Sequence, residues 1–190
     1  ECITINTEKE LLDIINSNTN AWNILKTRRL QSYCESDCNT IPKWLSYLID
    51  SLVKINLFSF NNRPNHVLIN QYKANEGIMH HVDGPIYHPQ VVIISLGTPC
   101  LMTFRKKLAS HEIGEQYGGD LFSLFLQPRS LLMFSDDAYH FYQHGIPADC
   151  VDITIGENIE CINSQQAKVK YGEKFSRGER TSLTIRKLLT

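Results

Sequence analysis

Little net charge is left in this 190-residue sequence once its 19 Lys and Arg are set against 20 Asp and Glu, a formal -1. A surface that grips polyanions over its whole extent is therefore excluded, although a local basic patch is not. Long apolar runs are lacking too: stretches such as Leu121 to Leu126 and Leu131 to Phe134 are broken by Ser, Pro and Arg, far short of the roughly 18 residues a membrane span needs. None of the six cysteines forms a C-x-x-C pair. Cys34 and Cys38 make a lone C-x3-C where a zinc ribbon needs two such pairs, so free thiols in a reducing, intracellular setting, cytoplasmic or nuclear, are expected. There is no internal repeat, low-complexity tract or visible signal peptide; the chain begins at Glu1 without Met, and targeting is not judged from that end. With 42% hydrophobic and 9% aromatic residues, disorder, collagen and coiled coil are excluded. One domain over residues 1–190 is expected, since a chain of this length buries roughly 70% of its unfolded surface.

What charge there is lies unevenly. Residues 108–160 hold nine acidic side chains against the single Arg129, whereas residues 164–190 hold seven Lys or Arg against Glu173 and Glu179. A phosphate or carboxylate partner would be drawn to that C-terminal segment.

Two helices are predicted in the first 64 residues. Thr7-Glu8-Lys9-Glu10 fits a capping box, and Leu11, Leu12, Ile14 and Ile15 follow as a helical stripe. Pro42 suits the first turn of a second helix whose buried face would be Trp44, Leu45, Leu48, Ile49, Leu52 and Val53. Lys26 to Asn39, polar and partly basic, reads as irregular. From His66 onward the period becomes about two. Strands are expected at His66–Tyr72, Ile78–Asp83, Val91–Leu96, Leu101–Arg105, Leu121–Leu126, Ser130–Phe134, Tyr139–His144 and Thr181–Lys187. Turn signals separate them at Asn75-Glu76-Gly77, Gly84-Pro85, Gly97-Thr98-Pro99, Gly118-Gly119, Pro128 and Asp136-Asp137. Asn158 to Arg177 reads as an exposed loop. The fold class is thus mainly β with N-terminal helices: helices in residues 1–64, then a jelly roll or similar double-sheet barrel in residues 65–190.

Alternation then sorts the polar residues. Arg180, Ser182, Thr184 and Arg186 share one face of the last strand while Leu183 and Ile185 take the other. Two arginines on an inward face require a carboxylate; a solvated outer face is the alternative, and periodicity alone does not separate the two. Asn70 and Tyr72 share a face, as do His81 and Asp83. His81-Val82-Asp83 is an H-x-D pair able to bind one ion from one side, with His140 and His144 downstream as third ligands. A 2-His-1-carboxylate set leaves open positions on Fe(II). Alone, H-x-D is a weak signal; in conjunction with the other blocks it is strong.

The order N-x-Y, H-x-D, distal His and R-x-S-x-T-x-R, in Asn70-Gln71-Tyr72, His81-Val82-Asp83, His144 and Arg180 to Arg186, resembles the AlkB-type Fe(II)/2-oxoglutarate dioxygenases. Blocks such as Ile94-Ser95-Leu96-Gly97, Pro128-Arg129-Ser130-Leu131-Leu132 and His144-Gly145-Ile146 are most similar to the eukaryotic branch called AlkB homologue six. The resemblance runs from about residue 7 to the C terminus and implies a double-stranded β-helix. It implies that His81, Asp83 and His144 hold iron, that Arg180 pairs with the distal carboxylate of 2-oxoglutarate, and that Asn70, Tyr72 and Ser182 supply neutral hydrogen bonds. Arg186 would then sit near the carboxylate end that chelates iron, and His80 would face away. With O2 as co-substrate, 2-oxoglutarate would be decarboxylated to succinate and CO2 while a substrate carbon is hydroxylated; an N-methyl group would leave as formaldehyde. The expected partner is nucleic acid, met by a monomer with no membrane. A flipped-out base would be contacted by Arg28, Arg29 and Tyr33 from an N-terminal segment and by Tyr87. The same class of enzyme acting on a protein or small molecule, and a non-catalytic nucleic-acid-binding module, are the alternatives. Arg105-Lys106-Lys107 reads as a charged hairpin end, and Trp22 and Trp44 as core residues.

Overall fold

The computed structural model describes residues 1–35, 40–107 and 119–189. Cys38 and the Gly118 half of the predicted Gly-Gly turn lie outside them. In chain order the elements are α1 (Ile5–Ser17), β1 (Asn23–Ile24), β2 (Arg29–Cys34), α2 (Lys43–Lys54), β3 (His66–Tyr72), β4 (Ile78–His81), β5 (Tyr87–Gly97), β6 (Cys100–Lys106), β7 (Phe122–Leu126), β8 (Leu131–Ser135), α3 (Asp136–His140), β9 (Tyr142–Ile146), β10 (Asp152–Thr154), α4 (Ser164–Ala167), β11 (Lys174–Ser176) and β12 (Arg180–Leu188). A six-stranded sheet in the order β1-β2-β3-β12-β5-β8 faces a four-stranded sheet in the order β4-β9-β6-β7, all pairs antiparallel. This is the expected double-sheet jelly roll.

Alternation along the strands gives the large sheet two apolar faces. Val67 and Ile69 of β3, Val92, Ile94 and Leu96 of β5, and Leu183 and Ile185 of β12 turn outward against Leu11 and Ile15 of α1 and Leu45, Ile49 and Leu52 of α2. Each fully buried Leu or Ile here contributes about 1.5–3 kcal/mol of transfer free energy. Trp22 and Trp44 pack, partly buried, at the edge of this core. Val91 and Ile93 turn inward, between the sheets, with Met102, Phe104, Phe134 and Ile146. A third cluster, Phe125, Ile153, Ile155, Cys161, Ala167 and Val169, covers the outside of the small sheet.

Several local expectations are corrected. Helix α1 starts a turn earlier than the capping box at Thr7: the Thr4 hydroxyl accepts from the Thr7 amide at 3.1 Å. Glu8 instead lies buried, accepting from the Gly97 amide at 2.8 Å and from Arg129 at 2.6 Å. Ile14, placed in the helical stripe, faces solvent. Pro42 immediately precedes α2 rather than lying within it. The segment read as irregular contains β1 and β2, and β2 pairs with β3 over its whole length. Tyr139 and His140 belong to α3, not to a strand; the acidic pair Asp136 and Asp137 favours the N-terminal end of that helix. Residues 158–177 are not an open loop, since Cys161, Ala167 and Val169 are buried and β11 pairs with β10.

Candidate metal and cofactor site

Strand pairing brings the expected metal residues together. His81 at the end of β4 lies directly opposite His144 in β9, and their ring centroids are 4.4 Å apart. Close approach of the two strands depends on Gly145, where a Cβ would come 3.0 Å from the His80 amide nitrogen and the Ile78 carbonyl. Asp83 follows just past the end of β4, and one ligand atom from each of His81, Asp83 and His144 lies within 4.8 Å of the others. Among the described residues this is the one such group of three.

The surrounding bonds suit a cation. The His81 Nδ1–H donates to the Met79 carbonyl at 2.9 Å, so Nε2 is the ring nitrogen left for a metal. Burial pushes the His144 imidazole down to about 4, against the pull of Asp83, so that ring is neutral. Asp83 Oδ1 accepts from Arg186 Nη1 at 2.5 Å, while Oδ2 is buried with no hydrogen-bond partner, 3.8 Å from His144 Nε2. An orphaned carboxylate oxygen beside two imidazoles is the donor set an octahedral Fe(II) takes, with other positions left open.

Beside this set lies a cavity of about 160 Å³, lined by both sheets. The register places Arg180 opposite Tyr72, Ser182 opposite Asn70, and Arg186 opposite His66, so the polar face of β12 meets the polar face of β3. Asn70, Tyr72, Arg180, Ser182 and Arg186 all line the cavity, and the solvated-face alternative for β12 is removed by the burial of Arg180 and Arg186. Arg180 Nη2 donates to Ser95 Oγ at 2.9 Å, and its guanidinium stands 5.8 Å from the centre of the Tyr72 ring. Arg180 Nε is buried without a partner. Tyr72 is a neutral donor, its phenol pushed up to about 12 by burial. A buried cation with an unused donor, flanked by neutral hydrogen-bonding groups, fits a small carboxylate.

Other expected residues fall elsewhere. Arg28 lines the cavity and donates through Nε to Asn70 Oδ1 at 3.0 Å. Arg29 stacks 4.2 Å over Trp22 and donates to Gln71 on the helical side of the sheet. Tyr33 is buried in the helix-facing core, its hydroxyl bonded to Gln31 and Asn18. Tyr87 packs under the Arg186 guanidinium at 4.0 Å. His80 turns away from the cavity to Thr103 Oγ1 at 2.8 Å and Asp120 at 3.0 Å, and His140 sits in α3 outside the ligand set. Ser95 and His66 carry no site motif of their own; Ser95 stands out only as a polar residue on the inward face of an otherwise apolar stretch of β5, and His66 meets Arg186 across the sheet.

Comparison with known proteins agrees with this geometry. The family profile described as "2OG-Fe(II) oxygenase superfamily" matches residues 10–186. The chain belongs to the 2OG-Fe(II) oxygenases. This oxygenase is 36% identical, over 87% of its own length and 73% of the relative's, to a protein of Danio rerio named "Probable RNA/DNA demethylase ALKBH6", which makes it AlkB-like. A solved structure titled "The structure of OsALKBH1" superposes with a TM-score of 0.54 at 14% identity, covering 94% of this chain and 92% of that one. A prolyl-4-hydroxylase of Pseudomonas putida matches with a TM-score of 0.54 at 12% identity, covering 100% of this chain and 89% of that one. The last two likenesses concern the fold alone. The family uses Fe(II) and 2-oxoglutarate, and the oxygenase's orphaned Asp83 Oδ2 and Arg180 Nε are the atoms those two groups would satisfy. No helix among the described residues is long and apolar enough to cross a membrane, and the five described cysteines are free thiols.

Proposed function

We propose that this oxygenase removes alkyl groups from nucleic-acid bases, as a monomer whose single catalytic unit spans residues 1–190. The observation that carries the substrate assignment is the 36% identity to a relative named as an RNA/DNA demethylase. His81, Asp83 and His144 hold Fe(II). Arg180 takes the distal carboxylate of 2-oxoglutarate, with Asn70, Tyr72 and Ser182 donating neutral hydrogen bonds along it. Arg186 fixes Asp83 at the chelating end. When bound, Fe(II) and 2-oxoglutarate would supply, with O2, the oxidation of a substrate carbon that yields succinate and CO2, and an N-methyl group so hydroxylated would leave as formaldehyde, restoring N–H on the base.

The chain's part is to bind, orient and exclude water. Leu68, Ile93, Met102 and Ile146 supply apolar wall between the cavity's placed polar groups. Arg28 supports the substrate reading, because it lines both this cavity and a neighbouring surface cavity of about 270 Å³ that also carries Arg29 and Lys73. A guanidinium there can contact a phosphate while its Nε stays bonded to Asn70. Tyr33 is buried in the helix-facing core and drops out as a base contact, whereas Arg29, on that second cavity, and Tyr87, on a cavity beside Val82 and Gly84, stay in the proposed substrate set. Few free cations remain at the mouth, so binding should be weak and salt-sensitive.

The test is incubation with Fe(II), 2-oxoglutarate and either methylated DNA and RNA oligonucleotides or a protein extract, followed by formaldehyde assay and mass spectrometry. Demethylated oligonucleotide is expected. Turnover confined to the protein pool would reassign the substrate, and oligonucleotide binding that survives loss of iron with no formaldehyde would make the protein a binding module.

A further inference from the structure

Asp83 is the one member of the metal group that no strand holds: β4 ends at His81, so the orientation of its carboxylate depends on side-chain contacts. The contact in place is Arg186, and Arg186 is itself held from two further sides. Its guanidinium lies 4.0 Å from the centre of the Tyr87 ring, and Nη2 is 3.3 Å from His66 Nδ1. A guanidinium only donates, so Nδ1 of His66 accepts, and the ring proton sits on Nε2. That nitrogen faces Ser32 Oγ at 3.3 Å. Ser32, His66 and Arg186 come from β2, β3 and β12, three adjacent strands of the large sheet, and the register sets His66 directly opposite Arg186. His66 is 8% exposed and does not line the cavity.

We infer that His66 is a positioning residue for the iron site: as an acceptor from Nη2 it fixes the rotation of the Arg186 guanidinium within its plane, which in turn aims Asp83 Oδ2 at the metal. The inference rests on the reading that His81, Asp83 and His144 bind the ion. Stacking on Tyr87 alone leaves the guanidinium free to turn within its own plane; the bond to His66 removes that freedom. Outer-shell partners of this kind typically change metal affinity by about 10- to 100-fold.

The test is titration of the full-length protein with Co(II), read by its absorption spectrum and so independent of turnover. His66→Leu removes the acceptor, whereas His66→Asn places an amide oxygen near the position of Nδ1. Leu should weaken Co(II) binding about 10-fold or more and Asn should restore it to within about 3-fold of wild type. Ser32→Ala, at an exposed position that leaves the core intact, should produce a smaller loss in the same direction. Equal weakening by Leu and Asn, or tight binding in both Leu and Ser32→Ala, overturns the inference while His81→Ala still abolishes binding. Should His81→Ala bind Co(II) like wild type, the metal reading itself fails and the inference falls with it.

Discussion

Arg186 and Asp83 form a buried ion pair in which the arginine occupies only one of the two carboxylate oxygens. Half of Asp83 is thereby anchored and the other half is directed at the ion site. Arg186→Met would leave the carboxylate buried without its counter-charge. The expected cost is about 3–5 kcal/mol in urea unfolding, together with loss of metal binding. A variant as stable as the parent would mean that solvent reaches the pair.

The ligand set makes a paired prediction about activity and stability. His81→Ala and Asp83→Ala should each abolish succinate formation from 2-oxoglutarate. Fe(II) at 100 times its dissociation constant should stabilise the parent by about 2.7 kcal/mol under anaerobic conditions, and neither variant should gain this. A full stabilisation retained in either one would remove that residue from the ligand set.

Arg180 carries a different burden. Arg180→Met should raise the half-saturating 2-oxoglutarate concentration by about 10- to 100-fold, the worth of a charge-assisted hydrogen bond of about 1.5–3 kcal/mol. Metal affinity should hardly change, because Arg180 bonds to Ser95 and not to the Asp83 pair. Cofactor dependence equal to the parent's would show that the dicarboxylate binds elsewhere.

Tyr72 supplies a pH signature. An acid whose pKa is raised on folding contributes stability that is complete below its unfolded value near 10 and is lost as pH climbs through the folded value of about 12. Over this window the parent should lose about 2–3 kcal/mol more than Tyr72→Phe. Below pH 9.5 the hydroxyl remains a neutral donor and 2-oxoglutarate saturation should not vary on its account. Equal alkaline sensitivity in both proteins would place the phenol in water.

The large-sheet side of the site was legible in the sequence because alternation is a short-range rule: β3 begins and ends where the pattern of His66 to Tyr72 predicts, and the arginines of β12 fall on the polar face. Strand β2 was hidden for a chemical reason. Gln31 sits at a buried position, with its amide donating to the Ile15 carbonyl and its oxygen accepting from Tyr33, so it wears the composition of a loop while occupying the core. His144 was separable from His140 only through the His144-Gly145-Ile146 block, because a strand pattern running through Tyr139 conceals the α3 turn that carries His140 out of the ligand set. The His66, Arg186 and Asp83 contacts join residues more than 100 positions apart, beyond the reach of any local pattern.

Strand β12 is central, paired along both edges, and neither of its faces is idle. That arrangement makes the strand a phase-sensitive element. A single residue inserted within the strand, between Thr181 and Ser182, would shift the later side chains to the opposite face or force a bulge into both pairings. Once shifted, Leu183 and Ile185 would exchange places with Ser182, Thr184 and Arg186, putting grease where the dicarboxylate binds and charge beneath the helices. Variation in length within β12 should therefore be far more damaging than a single substitution there, since one step out of phase inverts the inside and outside of the oxygenase at once.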